Sequence, residues 1–133
     1  MALKISTKYR DIAEEIVNRY SVAFGHIDVD SILFLSEDSK APKKYASIQI
    51  VKEPYTFITN YKFIMTVYEP NTIAMNDAQL NILIMHELMH VNDDFDGLVK
   101  HNLEDFSEIV SVYGLGWDTN PNVVDPLATI EEE

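Results

Sequence analysis

Apolar residues at Tyr9, Ile12, Ala13, Ile16, Val17, Tyr20 and Phe24 recur at three- and four-residue spacing, the stripe of an amphipathic helix. Arg10, Glu14, Asn18 and Arg19 fill the opposite face. Thr7 is placed to cap the start, and Gly25 to end it. The period then changes. Ile32-Leu33-Phe34-Leu35 is a short apolar run of the kind a buried strand makes, and Tyr45 to Val51 alternates with Ala46, Ile48 and Ile50 on one face. Lys62 to Tyr68, rich in β-branched and aromatic residues, predicts a third strand that stops at Glu69-Pro70-Asn71. Between the first two strands, Lys40-Ala41-Pro42-Lys43-Lys44 reads as a solvated turn.

The helical period returns near Asn76-Asp77, either of which can accept hydrogen bonds from the amides of a first turn. Leu80, Ile84, Leu88 and Val91 form one flank, and Ile82, Met85 and Met89 carry apolar character round much of the rest. A helix of that kind is buried on several sides. It is predicted to run through His90, with Asn92-Asp93-Asp94-Phe95-Asp96-Gly97 breaking it. Another helix fits Leu103 to Tyr113, with Asn102 as cap, Glu104 and Asp105 at its positive end, and Gly114 as stop. Beyond it, Trp117, Pro121 and Pro126 suggest a segment without long regular structure, Trp117 serving as a packing anchor and 118–133 as an extended tail. There is no internal repeat and no low-complexity linker, so residues 1–133 are expected to form one domain.

Composition narrows the function classes. The chain of 133 residues has no cysteine, which excludes disulfides, cysteine-ligated zinc and thiol nucleophiles. Twenty-two acidic residues against ten basic ones give a formal net charge of −12, so a polyanion such as nucleic acid would be repelled over most of the surface. Some of that acidity is the terminal Glu131-Glu132-Glu133, read as a solvated tail. No apolar run reaches the roughly 20 residues that cross a bilayer, and the first residues lack a secretory leader pattern. A soluble protein without a membrane partner is the expectation.

Against this background, one pentapeptide carries chemistry: His86-Glu87-Leu88-Met89-His90. Histidines four apart on a helix project from one face about a turn from each other, so both imidazoles can reach one cation. Glu87 lies beside them, placed to reach a water on the metal without ligating it. With four histidines and eleven glutamates in the chain, a shuffled sequence would contain the pattern about once in a hundred trials. Burying two imidazoles and a carboxylate without partners would cost on the order of 2–7 kcal/mol each, and a metal with its water supplies those partners.

A catalytic zinc typically takes three protein ligands and keeps one position open. His101, ten residues past His90, is the leading third ligand, since the 92–100 loop is long enough to turn back over the metal. Asp105, Glu104 and Glu108 compete, as do Asp93 and Asp94, although carboxylates in a first helical turn need no catalytic explanation. A carboxylate could also orient a ligand imidazole by accepting its other N–H. His26 falls in a loop, where a histidine is ordinarily just exposed.

Asp93 and Asp96 break the compact metzincin arrangement. The chain resembles instead the small gluzincin-like members of the zincin superfamily, and more closely the metallopeptidases of bacteriophages and prophages. The resemblance rests on 86–90, then Gly97-Leu98-Val99-Lys100-His101-Asn102-Leu103-Glu104-Asp105-Phe106, then Tyr113-Gly114-Leu115-Gly116-Trp117, with Tyr55 to Tyr68 also similar. A helix opening on a third histidine also resembles the SprT-like minimal zincins. The resemblance implies an α+β domain: a small twisted, mostly antiparallel sheet packed on the N-terminal helix and the active-site helix, plus a C-terminal helix. It implies one Zn2+ per chain on His86, His90 and His101, with Glu87 as general base in peptide hydrolysis. It further implies a peptide or protein substrate and a cytoplasmic location in a bacterial host carrying a prophage. In zincins the strand beside the cleft can take up an extended peptide, and Lys62 to Tyr68 is the candidate here. Tyr113 is the candidate for assisting the oxyanion, against an ordinary packing role at helical spacing from Phe106, Ile109 and Val110. Two other classes stay open: a non-catalytic metal-binding interaction protein, and a small-molecule metal amidase.

Overall fold

The computed structural model describes residues 3–39, 44–100, 107–114 and 116–127. The side chains of Ser107, Glu108 and Val110 lie outside that description, as do residues 101–106 with His101, Glu104 and Asp105. The architecture is α+β and of the zincin-like kind expected: strand β1 (Leu3–Ile5), helices α1 (Thr7–Arg19) and α2 (Ser21–Phe24), strands β2 (Ile32–Glu37), β3 (Ala46–Ile50) and β4 (Phe63–Tyr68), then helices α3 (Glu69–Thr72), α4 (Asp77–Met89) and α5 (Ser107–Tyr113).

The first helical stripe forms two helices, not one. Tyr20, with φ −113° and ψ 49°, ends α1 and precedes the short α2, so the apolar period spans a break that periodicity alone does not register. The cap is Ser6, not Thr7: its hydroxyl accepts from the Tyr9 amide at 3.3 Å, the acceptor geometry that places a cap one residue before the first helical turn.

The sheet runs β1-β2-β4-β3. β1 with β2 and β3 with β4 are antiparallel, whereas β2 and β4 are parallel, so the sheet is mixed. The register aligns Ile32 with Phe63 and Phe34 with Met65. Ile48 likewise faces Met65, and Ile50 faces Phe63. Side chains alternate across a strand, so this set shares one face. That face carries the core, with Phe63, Met65 and Val67 wholly buried in one cluster with Ala13 and Ile16 of α1 and Ile82, Ile84 and Leu88 of α4.

This order corrects one expectation. The Lys62–Tyr68 segment contributes the interior strand β4, bonded on both sides, so its backbone has no edge to offer a peptide. Among the described residues the edge beyond it is β3. Three β4 side chains at zero exposure fit an interior position; β-propensity finds a strand but does not rank it across a sheet.

α4 starts where the sequence put it. Asn76 accepts from the Gln79 amide at 2.9 Å while the Gln79 side chain accepts from the Asn76 amide at 2.9 Å, a reciprocal capping box. From Gln79 to Met85 every residue is buried, which is why the helix lacks a polar face. Trp117 is buried at 4% exposure, and the segment it opens is strapped to the helices. Asn76 Nδ2 donates to Pro121 O at 2.9 Å and Asn81 Nδ2 to Asp125 Oδ1 at 2.9 Å, while the Tyr20 hydroxyl donates to Pro126 O at 2.7 Å.

Candidate metal centre

His86 and Glu87 occupy the last turn of α4, and His90 is its C-terminal cap residue. The helix delivers them to one place. One ligand atom from each of the three lies within 4.8 Å of the others, with Glu87 buried and both histidines half-buried. The two imidazole rings are 5.3 Å apart between centroids, inclined at 62°. Two imidazole nitrogens with a carboxylate beside them suit a borderline ion such as zinc, which binds imidazole at about 2.0–2.1 Å. The residues present therefore fit a metal.

The chain after α4 fixes His90. Its Nδ1 lies 2.7 Å from Val99 O, and a carbonyl can only accept, so Nδ1 carries the proton. Nε2 is then the nitrogen that would bring a lone pair to a cation, the usual way a ligand imidazole is oriented. Val99 is held there because its amide donates to His90 O at 2.6 Å and Val91 bridges Leu98. The turn between them is built on Asn92, whose Oδ1 accepts from the amides of Asp96 at 2.9 Å and Gly97 at 3.1 Å. A Cβ on Gly97 would sit 2.9 Å from Asn92 Nδ2, so a side chain there would push into the turn's organising amide. Phe95 takes a left-handed φ of 56°, which costs about 1–2 kcal/mol for a non-glycine residue. Burial of its ring against Phe63, at 5.0 Å and 61°, offsets this with about 1.5–3 kcal/mol. Asp93 and Asp94, weighed as ligands from the sequence, belong to this turn and not to the cluster.

His86 has a different neighbour. The ring of Trp117 lies 6.2 Å from it, inclined at 48°. Sequence reasoning gave Trp117 a packing role only; a lone tryptophan 31 positions downstream carries no signal for the contact.

The Tyr113 hydroxyl donates toward Met85 Sδ at 3.9 Å. Burial, and then the neighbouring Tyr20 and Asp125, push its pKa up to about 12. Gly114 follows at φ 86° and ends α5, as a glycine stop does. His26 is half-buried in the loop after α2 and outside the cluster.

A cavity of about 580 Å³ follows β3. It is lined by Ile48, Gln49, Ile50, Val51 and Lys52 with Tyr55, Ile64 and Leu98. Leu98 is the residue before Val99, so the groove and the His90 contact share one stretch of chain.

Residues 1–128 match the family described as "Putative phage metallopeptidase". The chain belongs to this family. Neither a curated relative nor a solved structure matches it. The family's description suggests a metallopeptidase, the histidine–glutamate–histidine cluster could hold a metal ion, and no helix among the described residues is long and apolar enough to cross a membrane.

Proposed function

We propose that the protein is a zinc-dependent peptidase in which His86 and His90 hold the metal and Glu87 is the general base. The observation that carries this reading is the convergence of their ligand atoms within 4.8 Å at one helix end, with Glu87 buried. When bound, zinc supplies a Lewis acid and lowers the pKa of water to near 7. The Glu87 carboxylate accepts the proton of the attacking water and returns it to the leaving amine. Its burial keeps bulk water from competing for that proton. The Val99 carbonyl holds the His90 ring in the tautomer that ligation requires.

His101 is assigned as third ligand. Its spacing in the sequence supports it, and so does the return of the chain to His90 at Val99, two residues earlier. Asp105, Glu104 and Glu108 are the alternatives. The substrate is an extended polypeptide of a bacterial host cell's cytoplasm, adding as a strand beside β3, an edge strand among the described residues. A groove lined by five consecutive residues, Ile48 to Lys52, in and after β3 supports a peptide over a compact amide.

The test is a set of substitutions read by zinc content and by cleavage of an unfolded protein such as reduced casein. Glu87→Gln is expected to retain about one zinc per chain and to cleave about 10²–10⁴-fold more slowly. His90→Ala and His101→Ala are each expected to lose the metal. Undiminished cleavage by Glu87→Gln would remove the base assignment, and full zinc in His90→Ala would remove the site.

A further inference from the structure

Gln79 and His86 are seven residues apart on α4, two turns along the same stripe and about 10 Å along the axis. Trp117 spans that interval. Its carbonyl accepts from Gln79 Nε2 at 3.4 Å, while its indole reaches the His86 ring. The same nitrogen donates to Asp118 O and Asn120 O, both at 3.1 Å. Three carbonyls of one turn thus wrap a single buried side-chain amide. The turn closes on itself through Asn120 N to Trp117 O at 3.4 Å, and the Tyr45 hydroxyl secures it from the sheet side at Asp118 Oδ2, 2.9 Å away.

We infer that Gln79 is a positioning residue for the metal centre: it latches the 117–120 turn to α4 so that the Trp117 indole walls the His86 imidazole and limits its rotation. In its effect on metal binding the inference rests on the proposed zinc site; the latch itself does not. Simple packing would need Trp117 to be buried, but it would not need a polar side chain to gather three backbone acceptors at one point. The two functions of Gln79 are also separable. Oε1 completes the capping box and Nε2 makes the latch.

Gln79→Glu separates them. A glutamate at this position keeps the acceptor for the Asn76 amide, as a capping box allows, but sets a carboxylate against three carbonyls. Trp117 is the only tryptophan, so its fluorescence reports the turn directly. In the metal-free variant, emission is expected to shift to the red and become more accessible to acrylamide, with helical circular dichroism unchanged. The zinc dissociation constant is expected to rise by about tenfold, the usual effect of removing support behind a ligand imidazole. Emission like that of the unsubstituted protein, with zinc affinity within about twofold, would overturn the inference. If Gln79→Glu does not fold, Trp117→Phe and Trp117→Leu carry the test by calorimetric zinc titration. Leu is expected to weaken binding by about tenfold and Phe, which keeps a flat wall, by less. A folded Trp117→Leu protein that binds zinc as tightly as the parent would overturn it equally. Failure of the parent to bind zinc would count against the proposed function, while the metal-free emission shift would still decide the latch.

Discussion

His86 and His90 are one turn apart on the same helix, yet the chain supports them in different ways. His90 is held by the adjoining 92–99 segment: a turn organised by Asn92, an anchoring Phe95, and a carbonyl at Val99 that accepts a hydrogen bond from Nδ1. His86 is flanked by Trp117, brought in from 31 positions away by a strap bonded along α4 and α1. One imidazole is set by short-range chain geometry and a hydrogen bond. The other is set by packing, and packing needs the rest of the fold. Damage to the two supports should therefore look different: local at His90, and coupled to the strap at His86.

The largest effect that would break this contrast comes from Phe95. Phe95→Ala removes the ring that offsets the left-handed backbone, and it is expected to cost about 3–5 kcal/mol in urea unfolding. Zinc affinity should fall with it, while Trp117 emission in the native state stays unshifted. A red shift there would mean that the two supports are one unit. Asn92→Ala is milder. It leaves the Asp96 and Gly97 amides without their acceptor and is expected to cost about 1–3 kcal/mol. Its signature should be a changed His90 Nδ1 proton resonance with the His86 ring unaffected.

On the strap side, Tyr20→Phe removes the donor to Pro126 O and should destabilise by about 0.5–1.5 kcal/mol. Chemical denaturation of the metal-free protein would read it, and an equal loss of zinc affinity is not expected because Gln79 still holds Trp117. The remaining effect appears only at alkaline pH. Burial raises Tyr113 and Tyr9 from 10 to about 12, so the unfolded chain loses these protons first as pH rises. Stability from this source is fully present below pH 10 and falls between about 10 and 12. Tyr113→Phe should flatten that fall, and an unchanged alkaline slope would exclude Tyr113 as its source.

Much of the fold could be read directly. Asn76 as cap and the burial of α4 all round came from residue types a few positions apart, and so did the strands beginning near Ile32, Tyr45 and Lys62. The misreadings share a cause. Tyr20 breaks the first helix although the apolar stripe continues through it, because the stripe reports which side faces the core and not whether the backbone stays helical. Lys62 to Tyr68 was matched to the peptide-binding edge and is interior, because strand order depends on which segments pair and pairing leaves no local mark. Side-chain contacts leave no local mark either: the Tyr113 hydroxyl comes to Met85 Sδ only through the packing of α5.

The sequence alone determined that two imidazoles and a carboxylate share the end of one helix, since an α-helix turns through a fixed angle per residue and needs no other part of the chain to do so. It also determined the family, through motifs that are contiguous. The tertiary structure decided that β3 lies at one edge of the sheet among the described residues, that Val99 O accepts a hydrogen bond from His90 Nδ1 and that Trp117 stands against His86. Those are contacts between segments, settled by competition for one core, and no residue states in advance which segment will win.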